Sequence, residues 1–202
     1  IGRPVLLFAT GLVVGGLAWT YLRPQALYPP PAFVAFYDEQ TTAALGQVPG
    51  TTQARFYFAA NAPGDKRAVV APADVNGRHV PEGGSTKFRL YRSLSGSRAT
   101  VDLLDETHAE ALVKQSRYGT SGPWSIDCPM SQLLRMLDVP QCNGVGVAVQ
   151  TLTDGSYTFQ LIPVQLANGK ATVVGASGDA VTGMPCPTFC AYPQEFYLHR
   201  RP

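Results

Sequence analysis

The chain has 202 residues, of which 16 are basic and 14 acidic, with 45% hydrophobic side chains and a net charge of +2. This length suits one globular domain with an appendage rather than two large domains. Charged residues make up 15% against a usual ~25%, which together with the ordinary hydrophobic content excludes disorder as the main state. No long run of Lys or Arg occurs, so the electrostatic footprint of a nucleic-acid binder is absent from the sequence.

From the N-terminus, the first feature is an uncharged stretch between Arg3 and Arg23, rich in Leu, Val, Ala and Gly. As a helix rising about 1.5 Å per residue, residues 4–22 would span roughly 28 Å, near the ~30 Å hydrocarbon thickness of a bilayer. Trp19 and Tyr21 stand at one end, where amphipathic rings favour the interface, and Arg3 and Arg23 can snorkel. A cleaved secretory signal would have a shorter apolar region ending in small residues; this one ends in Trp-Thr-Tyr-Leu-Arg. The expectation is a single transmembrane anchor over residues 1–23, in contact with the lipid bilayer. Because the first residue is Ile and not Met, residues preceding Ile1 are also expected. Gly11, Gly15 and Ala18 form a small-residue stripe on one helical face, the spacing at which a second membrane helix can approach closely.

Residues 24–32 carry Pro29, Pro30 and Pro31, which lack amide donors and fix φ, so this is a stiff, extended linker. The globular domain is expected over residues 33–202. Arg55–Ala60, Arg67–Ala71 and Lys87–Tyr91 read as strands, the last alternating Phe88 and Leu90 with charged neighbours. Asn76-Gly77 and Gly83-Gly84 mark a loop between the last two. Residues 98–104 read as a fourth strand, running into Asp105 as an N-cap. Ala109, Leu112 and Val113 then give a helix its apolar face. A second short helix begins near Pro129, with Met130, Leu133, Leu134 and Leu137 at helical spacing.

Toward the C-terminus, Val145–Leu152, Tyr157–Leu166 and Ala171–Val174 are joined by Asp154-Gly155 and Asn168-Gly169, the signature of a β-meander. Pro163 lacks a ladder donor and marks an edge or a bulge. The parts predict an α+β domain with a largely antiparallel sheet and two short helices.

The chemistry-bearing residues give little. Cys128, Cys142, Cys186 and Cys190 are clustered and even in number, which makes them candidates for two disulfides with three pairings open. A zinc site lacks its two tight knuckles, so no metal is assigned. His79, His108 and His199 are scattered and read as solvated surface groups. The acids Asp102, Asp105, Glu106 and Glu110 around His108 suit a helix start, and Glu110 with Lys114 makes an ordinary i,i+4 pair. Neither Ser121 nor Ser177 stands in a nucleophile elbow, and Gly144 and Gly146 open a strand, unlike a phosphate-binding loop. No catalytic residue and no cofactor site is assigned.

The expectation that follows is an accessory, non-catalytic structural subunit of a membrane protein complex. It would contact other subunits through its anchor and its soluble domain. A membrane-anchored extracytoplasmic enzyme or ligand-binding domain is the alternative, and a self-associating scaffold a third. Cysteine usage favours an oxidising compartment: a bacterial cytoplasmic membrane with a periplasmic domain, or the mitochondrial inner membrane with the domain in the intermembrane space.

Overall fold

The computed structural model describes residues 32–62, 65–92, 100–116, 125–153, 157–167, 170–182 and 184–186. The predicted anchor, with Gly11, Gly15 and Ala18, and nearly all of the linker lie outside these residues. Among the described residues no helix is long and apolar enough to cross a membrane.

The first described segment holds two elements that the sequence reading left unassigned. Strand β1 (Phe33–Asp38) alternates its side chains across two covered faces. Asp38 then leaves the strand with extended backbone and caps helix α1 (Glu39–Gln47), its Oδ1 accepting from the Thr41 amide at 2.8 Å. Next come β2 (Gln53–Ala59), β3 (Arg67–Ala73), β4 (Phe88–Arg92) and β5 (Thr100–Leu104), an antiparallel run in which each strand pairs with the next. Helix α2 (Glu106–Gln115) starts at Asp105, whose Oδ1 accepts from the His108 amide at 2.9 Å. Strand β6 (Ser125–Pro129) leads directly into α3 (Met130–Leu137). The meander follows as β7 (Gly144–Thr151), β8 (Tyr157–Ala167) and β9 (Lys170–Val173), with short strands β10 (Val181–Thr182) and β11 (Met184–Cys186) after it. Its two hairpin tips, 154–156 and 168–169, lie outside the described residues.

The expectation of an α+β domain built on one sheet with two helices is corrected on two counts. The described residues are mostly sheet with three α-helices, and their strands form two sheets. One has the order β1-β7-β8-β10, with β9 also on β8; the other runs β11-β6-β2-β3-β4-β5. All pairings between these strands are antiparallel. The physical reason lies in β2 and β3, whose residues from Ala54 to Ala59 and from Ala68 to Ala73 are buried without a break. Such strands need cover on both faces, which one sheet with one wet face does not supply.

The main core lies between the sheets. Ala54, Phe56 and Phe58 of β2, Val70 of β3 and Ile126 of β6 meet Tyr37 of β1, Val145 and Val147 of β7, and Phe159 and Leu161 of β8. Phe58 and Phe159 stack across the gap with centroids 3.9 Å apart. The Tyr37 hydroxyl crosses from one sheet to the other, 3.0 Å from the Ala68 carbonyl and 3.2 Å from that of Arg89. Burial holds its phenol well above the ordinary tyrosine range. Leu45 of α1 and Leu133 and Met136 of α3 join the same core.

Candidate functional site

The outer face of the six-stranded sheet carries a cluster of buried polar groups, Arg55, Ser125 and Asp127 among them. In β2, Arg55 and Tyr57 lie two apart and so share the face turned away from the sandwich core. Register places Arg55 opposite Asp127 of β6. Its Nε and Nη2 donate to the two carboxylate oxygens of Asp127, both at 2.6 Å, with Arg55 0% exposed. Such a forked pair is stronger and more directional than a point contact.

A turn closes over this pair. Asp74 Oδ1 accepts from the amides of Asn76 and Arg78, each at 2.8 Å, and the Gly77 amide donates to the Asp74 carbonyl at 2.9 Å. Gly77 has φ of +74°, and a Cβ there would lie 2.5 Å from Nη2 of Arg55. Both the backbone angle and the close approach therefore demand glycine. The chain then runs back along β3, with His79 opposite Ala73 and the Val80 amide donating to the Pro72 carbonyl at 3.0 Å.

That return delivers His79 to Tyr57, whose hydroxyl lies 2.6 Å from Nε2. Phe88 of β4 packs edge-on against both rings, with centroids 5.1 Å from His79 and 6.4 Å from Tyr57. Burial, and then the Arg55 charge, lower the pKa of His79 to about 3. The imidazole is therefore neutral at ordinary pH, with one ring nitrogen as donor and the other as acceptor. Ser125, level with Tyr57 on β6, is buried, and its Oγ has no hydrogen-bond partner among the described residues. Farther along this face, Ala109 and Val113 of α2 cover Tyr57, Ala59, Val69, Phe88 and Leu90.

The expectation that His79 is a solvated surface histidine is thus corrected. Arg55, Tyr57 and Asp127 were not singled out from the sequence at all. A signal was present in β2, where an arginine opens the apolar run RFYFAA, but its partner lies 72 residues away on a strand the periodicity did not reveal.

The other predicted residues fall elsewhere. His108 is exposed, its Nδ1 within hydrogen-bond distance of Asp105 Oδ1 at 2.7 Å, within the cap of α2. Hydrogen bonds from the amide and ring of His108 hold the Asp105 carboxyl below its usual pKa. Glu106 stands in the first turn of α2, Asp102 lies on β5, and Glu110 pairs with Lys114 at 2.9 Å. Cys128 and Cys142 are free thiols: Cys128 is buried in the main core and Cys142 half-buried, its Sγ donating to the Gly144 carbonyl at 3.1 Å. Burial, and then the Asp127 charge, push the Cys128 thiol up to about 12, so it stays protonated and unreactive. The Cys186 side chain, Cys190, Ser121, the Ser177 side chain and His199 lie outside what is described.

A separate groove of about 460 Å³ runs beside α3, lined by Gln132, Arg135, Met136, Asp138, Asp179 and Val181 among others. It shares no residue with the buried cluster. No family model, curated protein or solved structure matches this chain.

Proposed function

We propose that the chain is an accessory, non-catalytic structural subunit of a membrane protein complex, with its domain packed on partner subunits. The observation that carries this reading is where the polar chemistry is spent. Arg55 is paired with Asp127 beneath a turn that closes on the guanidinium, and Tyr57 is bonded to His79 of that turn. The groove beside α3, open to a small molecule, is lined by other residues. Such an arrangement rigidifies a sheet face. Catalysis instead calls for shifted groups converging on a cleft.

Membrane association rests on the sequence of residues 4–22, apolar and uncharged for 19 positions. We place the domain on the periplasmic side of a bacterial cytoplasmic membrane, with the mitochondrial intermembrane space as the alternative. The free Cys128 and Cys142 contribute nothing to that placement, which rests on Cys186 and Cys190. Protease added outside spheroplasts should degrade residues 33–202; full protection until lysis would reverse the orientation.

The test of function is extraction of the full chain from its native membranes in mild detergent, followed by native electrophoresis. Co-migration with larger partners in fixed stoichiometry is expected. A monomeric chain would overturn the proposal.

A further inference from the structure

We propose that the 74–80 turn is an acid-released latch, in which proton uptake by His79 frees the turn from the outer face of the six-stranded sheet and uncovers the Arg55–Asp127 pair. The turn is a self-contained unit, organised by Asp74 at one end and closed by the Val80 amide on Pro72 at the other. Side chains that tie it to the sheet include His79, bonded to the buried Tyr57 hydroxyl with Phe88 against its ring, and Gln53 of β2, whose Nε2 donates to the Val75 carbonyl at 3.4 Å.

The groups around His79 set the direction of the response. From β2 it faces Tyr57 and, close by, the positive Arg55; Asp127 of β6 is already engaged with both arms of that guanidinium. From β4 it faces Phe88, and α2 contributes the apolar Ala109, Val113 and the partly buried Leu112 to the cluster around Phe88 and Tyr57. Asp102 lies on the same face three strands out from Tyr57, in the row through Val69 and Leu90. On the loop itself stand Asp74, Arg78 and Glu82, and Glu82 pairs with Arg89 at 2.9 Å. A proton on His79 removes its acceptor nitrogen and places a second positive charge beside Arg55 in a poorly hydrated site.

The released turn exposes the imidazole to water, where its pKa returns to the ordinary value of 6.5. Opening therefore becomes about tenfold more favourable for each pH unit below 6.5, levelling off near the folded-state pKa of about 3. Above 6.5 it is flat.

Hydrogen exchange of the full chain between pH 7 and pH 4, corrected for intrinsic rates, reads this directly. Protection of the Gly77 and Val80 amides should fall at least tenfold, while that of β2 and β3 stays unchanged. The variant His79→Gln, which can bond Tyr57 but does not titrate, should lose the pH dependence. Glu82→Gln should keep it. Should His79→Gln fail to fold, the ring resonance of His79 in the unaltered protein serves instead: its titration should coincide with loss of turn protection. Equal protection at both pH values, or an unchanged response in His79→Gln, would overturn the latch. So would a turn that opens without titration of His79.

Discussion

The residue that organises the outer face of the larger sheet is Arg55, an arginine with no solvent exposure on a strand that otherwise reads as apolar. A buried ion pair adds little net stability over a well-packed apolar pair, but removing one partner strands the other charge in the interior. Asp127→Ala should therefore lower the unfolding free energy by about 3–5 kcal/mol, measured by denaturant titration. A loss under 1 kcal/mol would mean that water reaches the guanidinium. At Cys128 the same interior makes the opposite prediction, of chemical silence. The native thiol should resist alkylating reagents that label Cys142, and react only on unfolding. The cysteines were legible as a cluster, yet their state was not: Cys128 falls on the core-facing side of β6, a strand with too few residues before α3 to show a period.

At the scale of elements, local signals were read well where they were self-contained. Asp105 before an apolar helical stripe marks the start of α2, and the spacing of Met130, Leu133 and Leu137 marks α3, because caps and helical periods are properties of short segments. Helix α1 escaped because it has no comparable stripe: Thr42 and Leu45 are its buried residues, and Asp38 serves both as strand end and as cap. Pro163 shows a signal with a more specific outcome than the sequence stated. It sits within the interior strand β8, at the point where the neighbouring strand changes from β10, level with 160–161, to β9, level with 164–167. Its carbonyl accepts from Val174 on that side, so the missing donor faces the break and leaves the pairing with β7 intact.

Gly144 and Gly146 have a structural role of the same local kind, lying beneath the rings of Phe36 and Phe33 on the outer face of the smaller sheet. A Cβ at Gly144 would lie 2.5 Å from Phe36 Cζ and 2.7 Å from the Tyr37 carbonyl oxygen, and the backbone contact has little room to yield. Gly144→Ala should cost about 1–3 kcal/mol by overpacking. Gly178→Ala, where nothing lies within 4 Å, should stay within about 0.5 kcal/mol. Equal effects of the two on the denaturation midpoint would contradict the ring-on-glycine packing.

For the whole domain, the sequence revealed the antiparallel bias and the C-terminal meander but not the division into two sheets. That division depends on long-range pairing: β1 finds β7 more than a hundred residues later, and β6 inserts beside β2. Neither contact leaves a local trace. The buried cluster follows from this topology, since Arg55, Asp127 and His79 come from separate segments that meet only once the larger sheet has formed.

In the proposed function this sheet architecture serves assembly, with the Arg55–Asp127 and Tyr57–His79 pairs holding the outer face rigid. Native electrophoresis of the chain extracted from its own membranes in mild detergent tests that claim most directly. A band of larger mass containing the chain and partner subunits in constant ratio is the predicted result; a chain that migrates alone, with its fold intact, would contradict it.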